Sequence, residues 1–284
     1  DVIQTNGVAL AGSDTVVTDQ LVVIQSPSPV GTTGNQRTAI ILAMGSGIAS
    51  HPYSNKTNTA SIFFSSANSQ SARNYYYEAS YGQTLIVGGN GAEGTAADVY
   101  GPYSIAAGDC NTDTIRTQAF AAADAELNFS SYDRVVISVM TATAAGCGSG
   151  GVGTVRSQYQ GAYDGVAQYL SVSWDYNNAL GSTALNGKIG GVAIHEFGHN
   201  IGVWHANSLD CGTSSLGSGI CYSTEYGDPA DVMGNSGGFG HPNGVHKDTL
   251  AWLTGAVARG RKGSPLGDVI RALPPRSFVF RDAD

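Results

Sequence analysis

The eleven-residue segment HEFGHNIGVWH, residues 195–205, constrains the fold more than any other part of the sequence. It holds three of the chain's six histidines in a stretch that is otherwise apolar enough to be core. On a helix, His195 and His199 lie about one turn apart and project from the same side. Two imidazoles in that arrangement can bind one metal ion, so the segment predicts a buried helix with a metal-binding face.

Gly202 explains how a third histidine can reach the same ion. If the helix continued, position 205 would lie too far along the axis to share the metal. Glycine can adopt the left-handed conformation that ends a helix and reverses the chain, which would return His205 as the third ligand. Three neutral histidines on Zn²⁺ leave the fourth position open for water, which is the catalytic arrangement. Glu196 points to a neighbouring azimuth, where it can bond that water without being a ligand.

Two other interpretations of the histidines are weaker. They could simply satisfy hydrogen bonds in a core helix, but chance occurrence of the full spacing is on the order of one in ten thousand. A structural zinc site would normally want a fourth protein ligand, usually cysteine. We therefore predict one catalytic Zn²⁺. Loops rich in Asp, Asn and Gly are compatible with calcium, but no D-x-D-x-D-G loop is present and no calcium site is assigned.

The spacing H-E-x-x-H-x-x-G-x-x-H resembles the metzincin signature, which is followed by a methionine-containing turn. The segment YGDPADVMG supplies the candidate, Met233, twenty-eight residues after His205. Together with SYGQTL and KDTLAWL, these motifs are similar to the gametolysin-type peptidases in their bacterial branch. The similarity covers about residues 37–256 and is strongest around the histidines.

The resemblance implies a fold and an activity. The fold would be a metzincin-like two-lobed catalytic domain, with a mixed twisted sheet and the active-site helix above an irregular lower lobe. The activity would be that of a secreted zinc endopeptidase acting on protein or peptide substrates in the cleft between the lobes. The implied roles are metal ligands for the three histidines, general base for Glu196 and an apolar floor beneath the histidines for Met233. The residue that stabilises the oxyanion stays open among Tyr222, Tyr226 and His241.

Local patterns independently predict an α+β chain with strands before the central helix. Buried strands are expected in RTAIILAMG, TLIVGG and YDRVVISVM. Helices are expected within 67–83, closed by Gly82, within 113–129, capped by Asp113, over 188–201, and in KDTLAWL. The glycine-dense run at 144–153 is predicted to be loop. His51 is predicted on the surface, and His241 and His246 in a loop.

Shifts in composition divide the chain into three parts, and the resemblance implies the roles of the first two. Residues 1–36 are expected to be an N-terminal extension or propeptide remnant, 37–258 the catalytic domain, and 259–284 a tail or linker. With 13% charged residues and a net charge of −8, the surface is typical of secreted proteins and disfavours nucleic-acid binding. No apolar run approaches the roughly 20 residues of a membrane span. Because the chain starts at Asp1, we expect that a targeting segment has been removed. A monomer is expected.

The four cysteines contain no C-x-x-C pair and favour disulfides in an exported protein. Of the three pairings, we favour Cys110–Cys147 with Cys211–Cys221, because the second closes a short glycine- and serine-rich loop. Four free thiols are the alternative. Two other functions also stay open: a catalytically silent binding module of the same fold, and a zinc amidase that acts on cell-wall material.

Overall fold

The computed structural model describes residues 3–9, 16–23, 31–141, 147, 150–176, 189–213, 221–235 and 240–253. Only the backbone is described for 3–9, 16–23 and 189–191. The first two of these form an antiparallel hairpin of β1 (Ile3–Ala9) and β2 (Val16–Val23). The predicted tail at 259–284 lies outside the described residues.

A mixed seven-stranded sheet forms the centre of the described chain, in the order β4-β3-β6-β9-β7. Its strands are β3 (Gly34–Met44), β4 (Thr84–Val87), β5 (Val99–Ser104), β6 (Arg134–Met140), β7 (Gly151–Gly153), β8 (Gln158–Tyr163) and β9 (Val166–Tyr176). The pairs of β3 with β4, β5 and β6 are parallel, as is the pair of β6 with β9. Both β7 and β8 pair with β9 in antiparallel fashion, along one edge. Central β3 and β6 are almost wholly buried, which suits their β-branched sequences.

In the described residues, five α-helices and a second short hairpin accompany the sheet. The helices are α1 (Lys56–Phe64), α2 (Ala72–Ala79), α3 (Thr112–Ala123), α4 (Ile189–Ile201) and α5 (Gly244–Thr249). The hairpin joins β10 (Ser208–Asp210) to β11 (Tyr222–Thr224). Side-chain caps begin four of the helices, because an Asn or Ser oxygen accepts a backbone N–H of the first turn. These caps are Asn55, Ser71, Asn111 and Asn243.

Apolar side chains fill both faces of the sheet. On one face Ile41 of β3 joins Phe120 of α3 and Trp174 of β9 in a single cluster. On the other face Ile40 lies in a cluster with Phe197 of α4, Tyr76 of α2 and Trp252. The alternation of neighbouring β3 side chains between the two clusters follows from the pleat of the strand. Helix α4 is thus held between the sheet and the chain that follows it.

The α+β class is confirmed, and so are the three strands predicted from apolar runs. A helix forms at each predicted helical segment, although α3 starts one residue before 113 and α5 starts before KDTLAWL and ends within it. Two local predictions are wrong. Asn111 caps α3 in place of Asp113, since its side chain accepts the Thr114 N–H. The glycine run at 144–153 contributes β7, because a strand of small residues can lie close to α4.

Both favoured disulfides are present. Cys110–Cys147 links the chain just before the α3 cap to the segment after β6, and Cys211–Cys221 closes the β10–β11 hairpin. No cysteine of the described residues is free. Disulfides fit an extracellular protein. Within the described chain, no helix has the length and apolar character needed to cross a membrane.

Candidate metal centre

The structure brings His195, His199 and His205 together. One ligand atom from each lies within 4.8 Å of the others, so the group could hold a metal ion. The ring centroids of His195 and His199, one turn apart on α4, are separated by 5.0 Å. The His205 ring lies 5.5 Å from the first and 4.9 Å from the second. No other His, Cys, Asp or Glu of the described residues joins this group.

Gly202 ends α4 and turns the chain toward the triad. Its φ of 112° lies in the left-handed region that favours glycine. The N–H of Val203 bonds the Gly198 carbonyl, and the N–H of Gly202 bonds that of His199. These two bonds form a Schellman motif, which satisfies the last carbonyls of the helix. The predicted bend at Gly202 is therefore confirmed.

The Nδ1 atom of each histidine is engaged by an oxygen that can only accept. His195 bonds the Val232 carbonyl at 2.8 Å and His199 the Val203 carbonyl at 2.9 Å. His205 bonds the Glu225 carboxylate at 2.6 Å. Each Nδ1 must therefore carry the hydrogen, which leaves the lone pair on Nε2 for a metal.

Arg134 of β6 links the C-terminal end of α4 to the sheet. Arg134 of β6 is fully buried and donates to the Asn200 carbonyl at 2.6 Å and to the Ser171 hydroxyl at 2.8 Å. Its guanidinium lies 5.1 Å from the centroid of the Phe197 ring. Burial lowers the pKa of Arg134 to about 10, so it stays charged at neutral pH and can bond the helix carbonyls.

Met233 lies directly against the metal-binding helix. It is fully buried, and its Sδ and Cε face Gly198, between the two helical histidines. Its carbonyl accepts the Ala206 N–H at 2.9 Å, which ties it to the segment that carries His205. The residue predicted as an apolar floor thus contacts the backbone of the site. A side chain at position 198 would collide with its sulfur.

Glu196 is buried beside the triad, at 5% exposure. Burial, with a smaller contribution from the charge of Asp175, raises the pKa of Glu196 to about 9. Asp175 lies in β9 opposite Gly151 and is itself 2% exposed, and burial raises its pKa to about 7. Burial likewise lowers the pKa of His199 to about 4, so its imidazole is in the neutral form that binds metals. A positive charge at the centre of the triad would lower the pKa of Glu196 and so favour its carboxylate form.

Edge strand β7 approaches α4 so closely at Gly151 and Gly153 that neither position has room for a side chain. A Cβ atom on Gly153 would lie 2.7 Å from the Glu196 carbonyl oxygen and 3.0 Å from the His199 Cβ. One on Gly151 would lie 2.8 Å from the Glu196 carboxylate. The sheet edge therefore runs alongside the buried carboxylate and one of the ligands.

Tyr226 is the oxyanion candidate that the structure brings to the triad. Its ring centroid lies 3.8 Å from that of His205 and 5.9 Å from that of His195. Burial, then the charges of Glu225 and Glu196, raise the pKa of its hydroxyl, which keeps it protonated. A φ of 57° makes Tyr226 a strained residue beside the site.

The other two candidates have different surroundings. Tyr222 is 72% exposed. The His241 ring packs edge-on against Tyr75, 5.7 Å between centroids, and its Nε2 lies 3.6 Å from the Glu78 carboxylate. Among the described ring contacts, neither residue touches a histidine of the triad.

Two predictions about lone histidines are wrong. His51 is buried, not on the surface: its Nε2 donates to the Ser138 carbonyl, and its Nδ1 accepts the Tyr53 N–H. Burial lowers its pKa to about 4. His246 lies in α5, not in a loop, and its Nδ1 is 2.7 Å from the Asp231 carboxylate.

Sequence reasoning missed the carboxylates that support the site. Glu225 bonds His205, buried Asp231 accepts the Met233 N–H, and Asp175 adds charge beside Glu196. No spacing relates Glu225 or Asp175 to the motif. The position of Asp231, two residues before Met233, is a weak indication that it supports the methionine turn.

The sequence matches no protein-family model and has no significant similarity to a curated protein. Arguments about function therefore depend on the geometry of the site and on the motif resemblance.

Proposed function

We propose that the chain is a secreted zinc endopeptidase of the metzincin class, similar to the gametolysin-type peptidases. The observation that carries the proposal is the convergence of His195, His199 and His205 with each Nδ1 occupied by an acceptor. Three neutral nitrogen donors without a fourth protein ligand in the described residues suit a catalytic zinc ion. A zinc ion held by these three imidazoles would supply Lewis acidity and would lower the pKa of a water molecule bound beside them.

Glu196 is the proposed general base. Its carboxylate follows the first ligand directly and lies between α4 and β7, in surroundings that exclude bulk water. In this role it takes a proton from the attacking water and then delivers that proton to the leaving amine. A divalent charge among the three imidazoles would favour the carboxylate form that accepts the proton.

Tyr226 is the proposed hydrogen-bond donor to the oxyanion. Its hydroxyl is protonated, its ring packs in a tilted arrangement against that of His205, and it is 41% exposed, so it can meet a substrate. A preorganised donor at the place where negative charge develops lowers the barrier.

A peptide is the proposed substrate because the site lies beside a sheet edge. Within the described chain β7 pairs with β9 alone, and its Val152 is 39% exposed. An extended peptide could add to that edge by main-chain hydrogen bonds. The proposed upper lobe comprises the sheet with α1–α4, and the proposed lower lobe comprises the less regular chain from residue 203 onward. The cleft between them would hold the scissile bond.

The test uses casein and a quenched fluorescent peptide with the zinc-loaded protein. We expect cleavage that a chelator abolishes and zinc restores. Glu196→Gln should keep one zinc per chain and lose turnover by at least ~10²-fold, the usual contribution of a general base. Glu126→Gln, an exposed carboxylate after α3, is the matched control and should be fully active.

Other outcomes would change the assignment. Full activity in Glu196→Gln would refute the general-base role. Zinc binding without cleavage of any peptide would favour a silent binding module. Release of products from cell-wall material but not from peptides would favour an amidase.

A further inference from the structure

Asp231 and His246 form a second histidine–carboxylate pair, next in sequence to Val232, whose carbonyl bonds His195. The Asp231 side chain is fully buried and the two residues are fifteen positions apart. The Asp231 Oδ1 accepts the Met233 N–H at 2.7 Å. Its Oδ2 accepts the Asn243 N–H at 2.7 Å and contacts the His246 Nδ1 at the same distance. Because a carboxylate only accepts, the His246 Nδ1 carries the hydrogen of that bond.

The residue between Asp231 and Met233 holds a ligand. The Val232 carbonyl is the acceptor of the His195 Nδ1–H, at 2.8 Å. The position of this carbonyl therefore depends on the turn that Asp231 closes by bonding the Met233 N–H. Such outer partners set the orientation of a ligating imidazole.

Helix α5 fixes the other oxygen of Asp231. Asn243 caps this helix by accepting the His246 N–H at 3.0 Å, and its side-chain amide donates to Asp228 at 3.0 Å. The residues after the helix are anchored in the core, where Leu250 and Trp252 are almost fully buried. Helix α5 is thus connected to His195 through Asp231 and the peptide group between Val232 and Met233, which bonds Asp231 by its N–H and His195 by its carbonyl.

We propose that Asp231 and His246 are positioning residues that hold the Val232 carbonyl and Met233 against α4 and thereby set the metal affinity of the triad. This inference rests on the proposed zinc site. Even a charged pair of this kind would add little net stability compared with an apolar pair of similar volume. A carboxylate whose two oxygens connect the turn to a separate helix does add geometric definition, which an apolar pair cannot provide.

Three variants test the proposal in the full chain. His246→Leu removes the donor to Asp231, His246→Asn keeps an amide donor near the position of Nδ1, and Asp248→Asn changes an exposed carboxylate on the same helix. Zinc affinity is measured by competition with a fluorescent chelator, starting from metal-free protein. Circular dichroism and thermal unfolding in the presence of chelator report the fold.

We expect His246→Leu to bind zinc roughly tenfold more weakly than wild type, the lower end of the effect of losing an outer-shell partner. His246→Asn should recover most of that loss, and Asp248→Asn should match wild type. A purely structural role predicts lower thermal stability for both His246 variants with unchanged zinc affinity once folded.

Unchanged zinc affinity in a folded His246→Leu would overturn the inference and leave the proposed function intact. An equal loss in His246→Asn and His246→Leu would overturn it too, because the hydrogen bond would then be irrelevant. If His246→Leu does not fold, His246→Gln replaces it: its donor lies one methylene farther out, so affinity equal to that of wild type refutes the proposal. A wild-type chain that binds no zinc would refute both proposals.

Discussion

Gly153→Ala tests whether the contact between β7 and α4 positions the site. The added Cβ would lie 2.7 Å from the Glu196 carbonyl oxygen and 3.0 Å from the His199 Cβ. Both neighbours belong to the helix framework, so no side-chain rotation can relieve the collision. Strand and helix must separate by about 0.7 Å to restore an ordinary contact of 3.4 Å.

The expected cost is the balance of two effects. Overpacking of this kind costs about 1–3 kcal/mol. Replacing glycine also lowers the conformational entropy of the unfolded chain, which stabilises the folded protein by about 0.4–1 kcal/mol. The two ranges leave a net loss in the free energy of unfolding between about 0 and about 2.6 kcal/mol. The midpoint, about 1.3 kcal/mol, should lower the melting temperature by roughly 3–5 °C for a domain of this size. Zinc affinity should fall as well, because the collision displaces His199.

Gly244→Ala is the matched control. Gly244 begins α5 and has no left-handed φ, and a Cβ added to it would meet no other atom within 4 Å. Its replacement should be neutral or should stabilise by up to about 1 kcal/mol. Thermal unfolding in chelator and zinc competition are measured for both variants. If Gly153→Ala behaves like Gly244→Ala in both assays, the close approach of β7 to α4 does not position the site.

Three further predictions concern the triad and the buried core. Tyr226→Phe removes the hydroxyl and keeps the ring contact with His205, so kcat on peptides should fall by roughly tenfold or more while zinc affinity is unchanged. An unchanged kcat would contradict the proposed role of Tyr226 as donor to the oxyanion. Replacing both Cys211 and Cys221 by serine should lower the free energy of unfolding by roughly 2–3 kcal/mol, measured by thermal unfolding. Zinc binding should also weaken, because the hairpin leads to Glu225, which bonds His205. The pKa of His51 is about 4 in the folded protein and 6.5 in the unfolded chain, so the unfolded chain binds the proton first as the pH falls. Acidification from pH 7 to 4 should therefore lower the free energy of unfolding by about 3 kcal/mol. His51→Gln should flatten that pH slope in urea unfolding; an equal slope contradicts the assignment.

The sequence predicted what short-range geometry controls. The spacing of His195 and His199 follows from the pitch of a helix, and the bend at Gly202 follows from the conformations open to glycine. Apolar runs predicted the buried strands because a strand covered on both faces needs apolar residues throughout. Each of these inferences depends on neighbours within a few residues.

Only the tertiary structure decided which distant groups surround the site. Glu225 bonds His205 because the disulfide-closed hairpin brings the two segments together. Asp231 contacts His246 because α5 packs against the turn that contains Asp231. The approach of Tyr226 to the triad and the burial of His51 arise in the same way. Hydrogen bonds and burial of this kind form between segments far apart in the chain, and no local periodicity encodes which segments will meet.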